Sequence, residues 1–403
     1  MSFDVAEIRA QFPILSRSVH GKPLVYLDSA ASAQKPEAVI AATTAMMRGS
    51  YANVHRGLHA LANETTEVYE NARAAVARFI NAPAPETIVF TKGATAAINI
   101  VAAGIDIQPG DEIVLSVMEH HSNIVPWHFL RERKGAVLKW LDVSDDGGID
   151  LDALDALIGP RTRIVALTHM SNVLGAKTPA ADVVRLAHAK GVPVLLDGCQ
   201  AVVHGPVDVQ ALDADFYAFS SHKLYGPTGI GVLYGKPERL AALAPFEGGG
   251  EMIETVAQDR ITYNTPPHRF EAGTPPIIEA AGLGAAIAWL TAQDRAAIAA
   301  HEHGLCDRLM DGLRGLNWIH LYGQAPDKGA IVAFNIEGAH PHDVAQIVDR
   351  QGVAIRAGHH CAQPLMARLG VSATARASIA LYNTAQDVDV FLDALVKARK
   401  MLA

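Results

Sequence analysis

Cysteine is scarce in this chain. Three cysteines in 403 residues are too few, and odd in number, for a disulfide framework. That usage fits a reducing compartment. Positive charge is short as well: 34 Lys and Arg stand against 42 Asp and Glu, a formal net charge of -8. No basic run overrides that average, which excludes a nucleic-acid binder, because phosphate recognition needs a basic surface. Long hydrophobic runs are missing too. The most apolar stretch, "IIEAAGLGAAIAWL", contains Glu279 and falls short of the roughly 20 residues that span a bilayer. It reads as a buried helix. The opening "MSFDVAEIRAQF" carries acids early and lacks the apolar core of a signal peptide. The expectation is a cytoplasmic protein without a membrane partner. Internal repeats and low-complexity tracts are absent.

Half of the residues are apolar and about a fifth are charged, the balance of a globular protein. The length suggests two domains, or one large domain with an appendage. Short apolar runs recur, each followed by a helical pattern: "TIVF", "EIVLSV", "RIVALTH", "VPVLLD" and "DFYAFS". They are rich in Val, Ile and Leu and do not alternate with polar residues. Strands buried on both faces of a parallel sheet read this way. Gly135 and Gly191 close two of the helical stretches as caps. The alternation predicts an open α/β sheet with helices on both sides. Ligands bind at the carboxyl ends of such strands. Here those ends are polar: Thr91, Glu119, Thr168, Asp197 and Ser220. After about Pro275 the pattern changes to a long Ala-rich helix, Ile277 to Thr291, and then strands "AIVAFNI", "VAIRAG" and "ASIALYN" among helices. This predicts a smaller α+β domain with an antiparallel sheet. The division expected is an arm at 1–20 packing with the small domain, a large domain at 21–276 and a small domain at 277–403.

Several side chains are placed for chemistry. Lys223 follows a strand end inside "SSHKLYGPTGIG". A lysine in that position can form a Schiff base with an aldehyde cofactor, or simply sit on a surface loop. Asp197 ends a buried strand at the same sheet edge. Pyridoxal phosphate needs a carboxylate at its ring nitrogen and a lysine at its aldehyde, though an aspartate there also serves as a helix cap. Gln200 lies a turn further on, within reach of the phenolic oxygen. "FTKGATAAIN" sets Gly93, Ala94 and Thr95 between a strand and a helix start, where backbone N–H groups and the helix dipole hold phosphate. Ser220 and His222 add donors. His120 and His121 in "EHHSNIVPW" do not match the HExxH zinc spacing. An imidazole there can stack on a pyridine ring or serve as a structural histidine. Arg356 and Arg376 suit a substrate carboxylate or an ion pair.

Together these stretches resemble the class V aminotransferase-like family of pyridoxal-phosphate enzymes, and within it the type II cysteine desulfurases of SufS type. The specific elements are "YLDSAASAQKP", "NVHRGLHALA", "EHHSNIVPW", "HMSNVLG", "DGCQA", "SSHKLYGPTGIGVLYG", "RAGHHCAQP" and "RASIALYNT", which run through nearly the whole chain. The resemblance implies a fold-type I transferase. It implies that Lys223 holds the cofactor, that Asp197 meets the ring nitrogen and that Gln200 meets the phenolic oxygen. His121 would stack on the ring and assist proton transfer. Thr95, Ser220 and His222, with the backbone at Ala94, would hold the phosphate. Ala94 stands where the family often has a second threonine, so one hydroxyl contact is missing. Thr274 in "EAGTPP" would reach the phosphate of a neighbouring subunit, which implies a homodimer with composite sites. Asn172, Arg376 and Arg356 would hold the substrate. Cys361 would be the catalytic cysteine, while Cys199 replaces a residue that is often alanine and reads as a small filler.

The implied reaction removes sulfur from L-cysteine, leaves L-alanine and carries the sulfur as a Cys361 persulfide. The sulfur then passes to an acceptor protein of SufE or SufU type for iron-sulfur cluster assembly. Attack requires the thiolate, and Arg356, His359 and His360 are expected to favour it by electrostatics. The nearest rivals are a selenocysteine lyase acting on L-selenocysteine and another class V enzyme. A zinc protein using His359, His360 and Cys361 fails on geometry, since three consecutive residues do not easily face one tetrahedral ion.

Overall fold

The structure, a computed structural model, describes residues 3–402. Seven strands form the central sheet: β1 (Ile88–Thr91), β2 (Glu112–Ser116), β3 (Val137–Leu141), β4 (Thr162–Thr168), β5 (Val194–Asp197), β6 (Phe216–Ser220) and β7 (Gly231–Gly235). Their order is β1-β7-β6-β5-β4-β2-β3, and β7 alone runs antiparallel to its neighbours. Successive side chains along each strand enter two different cores. Val114, Val165, Leu167, Leu196 and Phe219 face one. Ile113, Leu115, Ile164, Leu195 and Ala218 face the other. Both faces are covered, so the runs read as continuously apolar. Gly135 adopts φ 73° and caps the helix Val125–Lys134 in the left-handed conformation.

Two strands of the central sheet escaped the sequence pattern. β3 lies at the sheet edge with mostly half-buried residues, so it lacks the apolar signature. β7 sits inside the glycine-rich stretch after Lys223.

The second sheet is antiparallel: β8 (Ile319–Tyr322), β9 (Ile331–Ile336), β10 (Arg356–Gly358) and β11 (Thr374–Ser378), in the order β8-β9-β11-β10. β11 ends at Ser378, so most of the expected strand "ASIALYN" is loop. Its core holds Phe334, Val348, Phe391 and Leu395, and also Val25 and Leu27. The latter two come from the start of the expected large domain, because Val25–Tyr26 pairs in parallel with Val353–Ala354. The expected arm touches both parts. Ile8 and Phe12 belong to the core of the large sheet, while Arg9 donates to Asp387 at 2.9 Å.

The helix Ile277–Thr291 is buried, and its placement departs from the expected division at 276. It packs on helices Glu37–Gly49 and Ala60–Phe79, and its Leu283, Ile287 and Leu290 join the core that includes β2 and β4. Its composition shows burial but not the partner. No described helix is long and apolar enough to cross a membrane.

One buried ion cluster fixes the β1 edge. Glu271 accepts from both Nη1 (2.6 Å) and Nη2 (2.9 Å) of Arg73, from Phe90 N at 2.7 Å and from Tyr69 Oη at 3.1 Å. Removing Glu271 leaves the buried Arg73 charge with only the part-exposed Glu70, which accepts from its Nε at 2.9 Å. Glu271→Ala is therefore expected to cost about 3–5 kcal/mol in denaturant unfolding, and a loss below about 1 kcal/mol, the size of a surface pair, would contradict that account.

Candidate active site

The carboxyl ends of β2, β4, β5 and β6 converge with the second sheet around a cavity of about 230 Å³. Ala94, Thr95, Asn172, Asp197, Ser220, His222, Lys223, Arg356 and Arg376 line it. These are nine of the expected site residues, brought together from six segments of chain. His120, Ser122, Ala30 and Cys199 complete much of the wall.

Asp197 closes β5, and its Oδ1 accepts from Cys199 N at 3.0 Å, in a turn that keeps the carboxylate at the sheet edge. Lys223 ends the single 3-10 turn that follows β6. The carbonyl of His222 accepts from Ala33 N at 3.1 Å and from Lys35 Nζ at 3.1 Å, which ties that turn to the N-terminal segment. Burial lowers Lys35 to about 8. Burial, followed by Lys223 and Lys35, lowers His222 to about 4, so His222 is neutral at pH 7.

Ser220 Oγ accepts from Ala94 N at 2.8 Å and anchors the start of the helix Ala94–Gly104. Thr95 Oγ1 lies 2.7 Å from Ser122 Oγ, which lies 3.1 Å from Nδ1 of His120. The glycines here are steric requirements. Gly93 has φ 155°, and a Cβ on Gly231 would lie 2.4 Å from the Gly93 Cα. One carboxylate, one amine, a set of hydroxyls and a helix N-terminus face one cavity. That donor set fits pyridoxal phosphate.

The two histidines exchange places relative to the expectation. His120, not His121, lines the cavity. His120 caps the one-turn helix His121–Asn123, and its Nδ1 accepts from Ser122 N, which turns the ring inward. Burial, then Lys223, lowers it to about 4. The His121 ring points toward the cysteine loop, 5.4 Å from the His359 ring. The turn stands on Glu119, which is fully buried and accepts from Ser116 Oγ at 2.6 Å and Asn123 Nδ2 at 2.7 Å. Burial raises Glu119 to about 8, so it keeps its proton at pH 7 and leaves no bare charge behind the histidines.

Arg356 and Arg376 face each other directly across β10 and β11. Arg376 is fully buried, donates to Asp28 Oδ1 at 3.0 Å and to Asn172 O at 2.8 Å, and leaves Nε without a partner. Burial lowers it to about 10 against the pull of Asp28. Like charges opposed in a ladder repel, so this corner favours an anion. Asp28 and Lys35 were missed as site residues, although both lie in the quoted "YLDSAASAQKP".

Cys361 sits just beyond the cavity wall, with its Sγ 3.7 Å from Arg356 Nη2. His360 does not supply the expected positive charge. It is buried, it bonds Thr374, and burial followed by Arg376 lowers it to about 2. Besides His121, two expected cofactor contacts lie outside the wall. Gln200 is buried and donates to Ala30 O at 2.9 Å. Thr274 is exposed on a different pocket with Lys92 and Glu247. Cys199 is buried, and burial raises its thiol to about 12.

With this geometry in hand, likeness to known proteins is informative. The profile of the aminotransferase class-V family matches residues 25–391. A cysteine desulfurase of Klebsiella pneumoniae is 50% identical over the whole of both chains. The solved cysteine desulfurase CsdA of Escherichia coli, in an S-sulfonic acid form, superposes with TM-score 0.93 at 44% identity and full coverage of both chains. A C-DES variant with glycine covalently linked to its PLP cofactor superposes at TM-score 0.83 and 25% identity, covering 96% of this chain and 98% of its own. The chain belongs to the class-V aminotransferase family, on the branch of the cysteine desulfurases.

The packing of Gly231 on Gly93 generates a test. Gly231→Ala is expected to push the phosphate turn, cost about 1–3 kcal/mol in thermal unfolding and release cofactor during dialysis. Full cofactor retention at unchanged stability would show that the turn has room the geometry denies it.

Proposed function

We propose that this chain is a SufS-like cysteine desulfurase that takes sulfur from L-cysteine, releases L-alanine and carries the sulfur on Cys361. Cysteine desulfurase activity follows from full-length relatives at 50% identity. Pyridoxal phosphate is its cofactor. The observation that carries the residue roles is the meeting of Lys223, Asp197 and Arg356 on one cavity, with the Cys361 thiol one side chain away.

When bound, the cofactor supplies an aldehyde for the substrate amine and a ring that accepts the electron pair of the broken Cα–H bond. Lys223 would hold the aldehyde carbon and then, once displaced, take the α-proton on Nζ. Asp197 would keep a proton on the ring nitrogen. His120 takes the stacking role given to His121 by the resemblance, because its ring is the one in the wall. Ser220, Thr95, His222 and the amides from Ala94 onward would hold the phosphate. Arg376 and Asn172 would orient the substrate carboxylate, with Arg356 beside the thiol.

The Cys361 thiolate attacks the sulfur of L-cysteine. An S–S bond forms while the substrate Cβ–S bond breaks, and its electron pair stays with carbon. A proton on Cβ then completes the methyl group, and the proton held on Lys223 Nζ returns to Cα to give alanine. Atoms and electrons balance without an outside oxidant. Arg356 supplies the cation beside the attacking thiolate, since neutral His360 does not.

Two further parts belong to this reading. Thr274 would serve the phosphate site of a second copy, because it is exposed and lies outside the cavity of its own chain. The persulfide would pass to a SufE- or SufU-type acceptor in the cytoplasm for iron-sulfur cluster assembly.

Cys361→Ser tests the core of the proposal. Alanine and sulfide release from L-cysteine should fall to background, while the absorbance of the bound cofactor stays as in the parent. Retained turnover would remove Cys361 from the mechanism, and a lost cofactor band would make it a structural residue.

A further inference from the structure

The cysteine loop is held in a backbone shape that its own residues disfavour. Gly358, His360 and Cys361 have φ of 130°, 51° and 57°. Non-glycine residues rarely occupy that region unless the surroundings fix them there. Asn172 Nδ2 donates to His360 O at 2.8 Å, and His360 Nε2 lies 2.9 Å from Thr374 Oγ1. These hold the entry to the turn. On the exit side the contacts come from His121. Its backbone N donates to Cys361 O at 2.6 Å, and its Nε2 accepts from Gln363 N at 3.2 Å. Gln363 opens the helix Gln363–Arg368, so its N–H has no partner within that helix.

We infer that His121 is a positioning residue that clamps the Cys361 turn through Gln363, and not a group of the cofactor site. The deduction rests on Cys361 being the sulfur carrier. An accepting Nε2 requires the neutral ring with its proton on Nδ1. Burial and the neighbouring His359 lower the His121 pKa, which favours that neutral form. The backbone bond to Cys361 O is open to any residue at 121 except proline, so the alanine and glutamine variants isolate the Gln363 contact. Glutamine offers an acceptor oxygen on a side chain of similar reach, and alanine offers none.

The test uses the holoenzyme of His121→Ala and His121→Gln. Cys361 alkylation by iodoacetamide is followed by mass spectrometry, with buried Cys199 and Cys306 as internal references. In His121→Ala the alkylation of Cys361 should quicken several-fold and kcat for sulfur release should fall, with cofactor content, cofactor absorbance and KM for L-cysteine unchanged. His121→Gln should restore both the alkylation rate and kcat. A lost or shifted cofactor band in His121→Ala would return His121 to the cofactor site and overturn the inference. So would unchanged alkylation, or a glutamine variant as impaired as alanine. Alkylation reports the clamp without turnover, whereas sulfur release by Cys361→Ser reports the role of Cys361, so the two failures are separable.

Discussion

The site depends on one buried cation. Arg376 is fully enclosed, and removing a guanidinium from water is costly unless its hydrogen bonds are replaced. Its replacements come from distant parts of the chain: Asp28 from the N-terminal segment and the Asn172 carbonyl from the loop after β4. Arg376 itself lies on β11 of the second sheet. Satisfying this one charge therefore fixes the N-terminal segment, the large sheet and the small sheet against each other at the cavity. The satisfaction is incomplete, because Nε is left over and Arg356 faces Arg376 across the ladder. Asp28 is a single carboxylate against two guanidinium groups. A carboxylate entering this corner meets positive charge that the protein alone leaves uncompensated.

The other wall follows the opposite rule. Three titratable groups at this edge are kept neutral, Glu119 behind the cavity and His120 and His222 in its wall. Glu119 keeps its proton, and His120 and His222 lose theirs, each because burial disfavours the charged form. Short turns after β2 and β6 aim these side chains, and the turns are pinned by Ser116 and Asn123 in one case and by Lys35 and Ala33 in the other. Side chains held this way need little reorganisation when a charged molecule binds.

Much of this was legible in the sequence because burial on two faces leaves a continuous apolar run. Strands β2, β4, β5 and β6 announce themselves that way, and the polar residue after each run marks the sheet edge. Asp197 and Ser220 are strand ends, and Lys223 is three residues past one, so their convergence is a matter of topology. Edge strand β3 is half-exposed and carries no such run. The helix Ile277–Thr291 is apolar all round, which signals burial and hides its partners. The histidine pair fails for another reason. Adjacent residues in a single 3-10 turn point in very different directions, and only the Ser122 bond to His120 decides which ring turns inward. Asp28 was quoted in a motif without a role because its partner lies 348 residues away.

The thiol obeys a different design from the cavity. Asp197, Ser220 and Lys223 of the cavity wall stand on strand ends and first turns, where the sheet fixes them. Cys361 stands on a turn with left-handed φ at two consecutive non-glycine residues, and no sheet holds it. Its shape comes from hydrogen bonds to Asn172, Thr374 and His121, which belong to three other elements. Under the proposed role, a thiol that accepts sulfur and then hands it on is not anchored as firmly as Lys223. A few hydrogen bonds from other elements hold this strained turn and set the thiol beside Arg356.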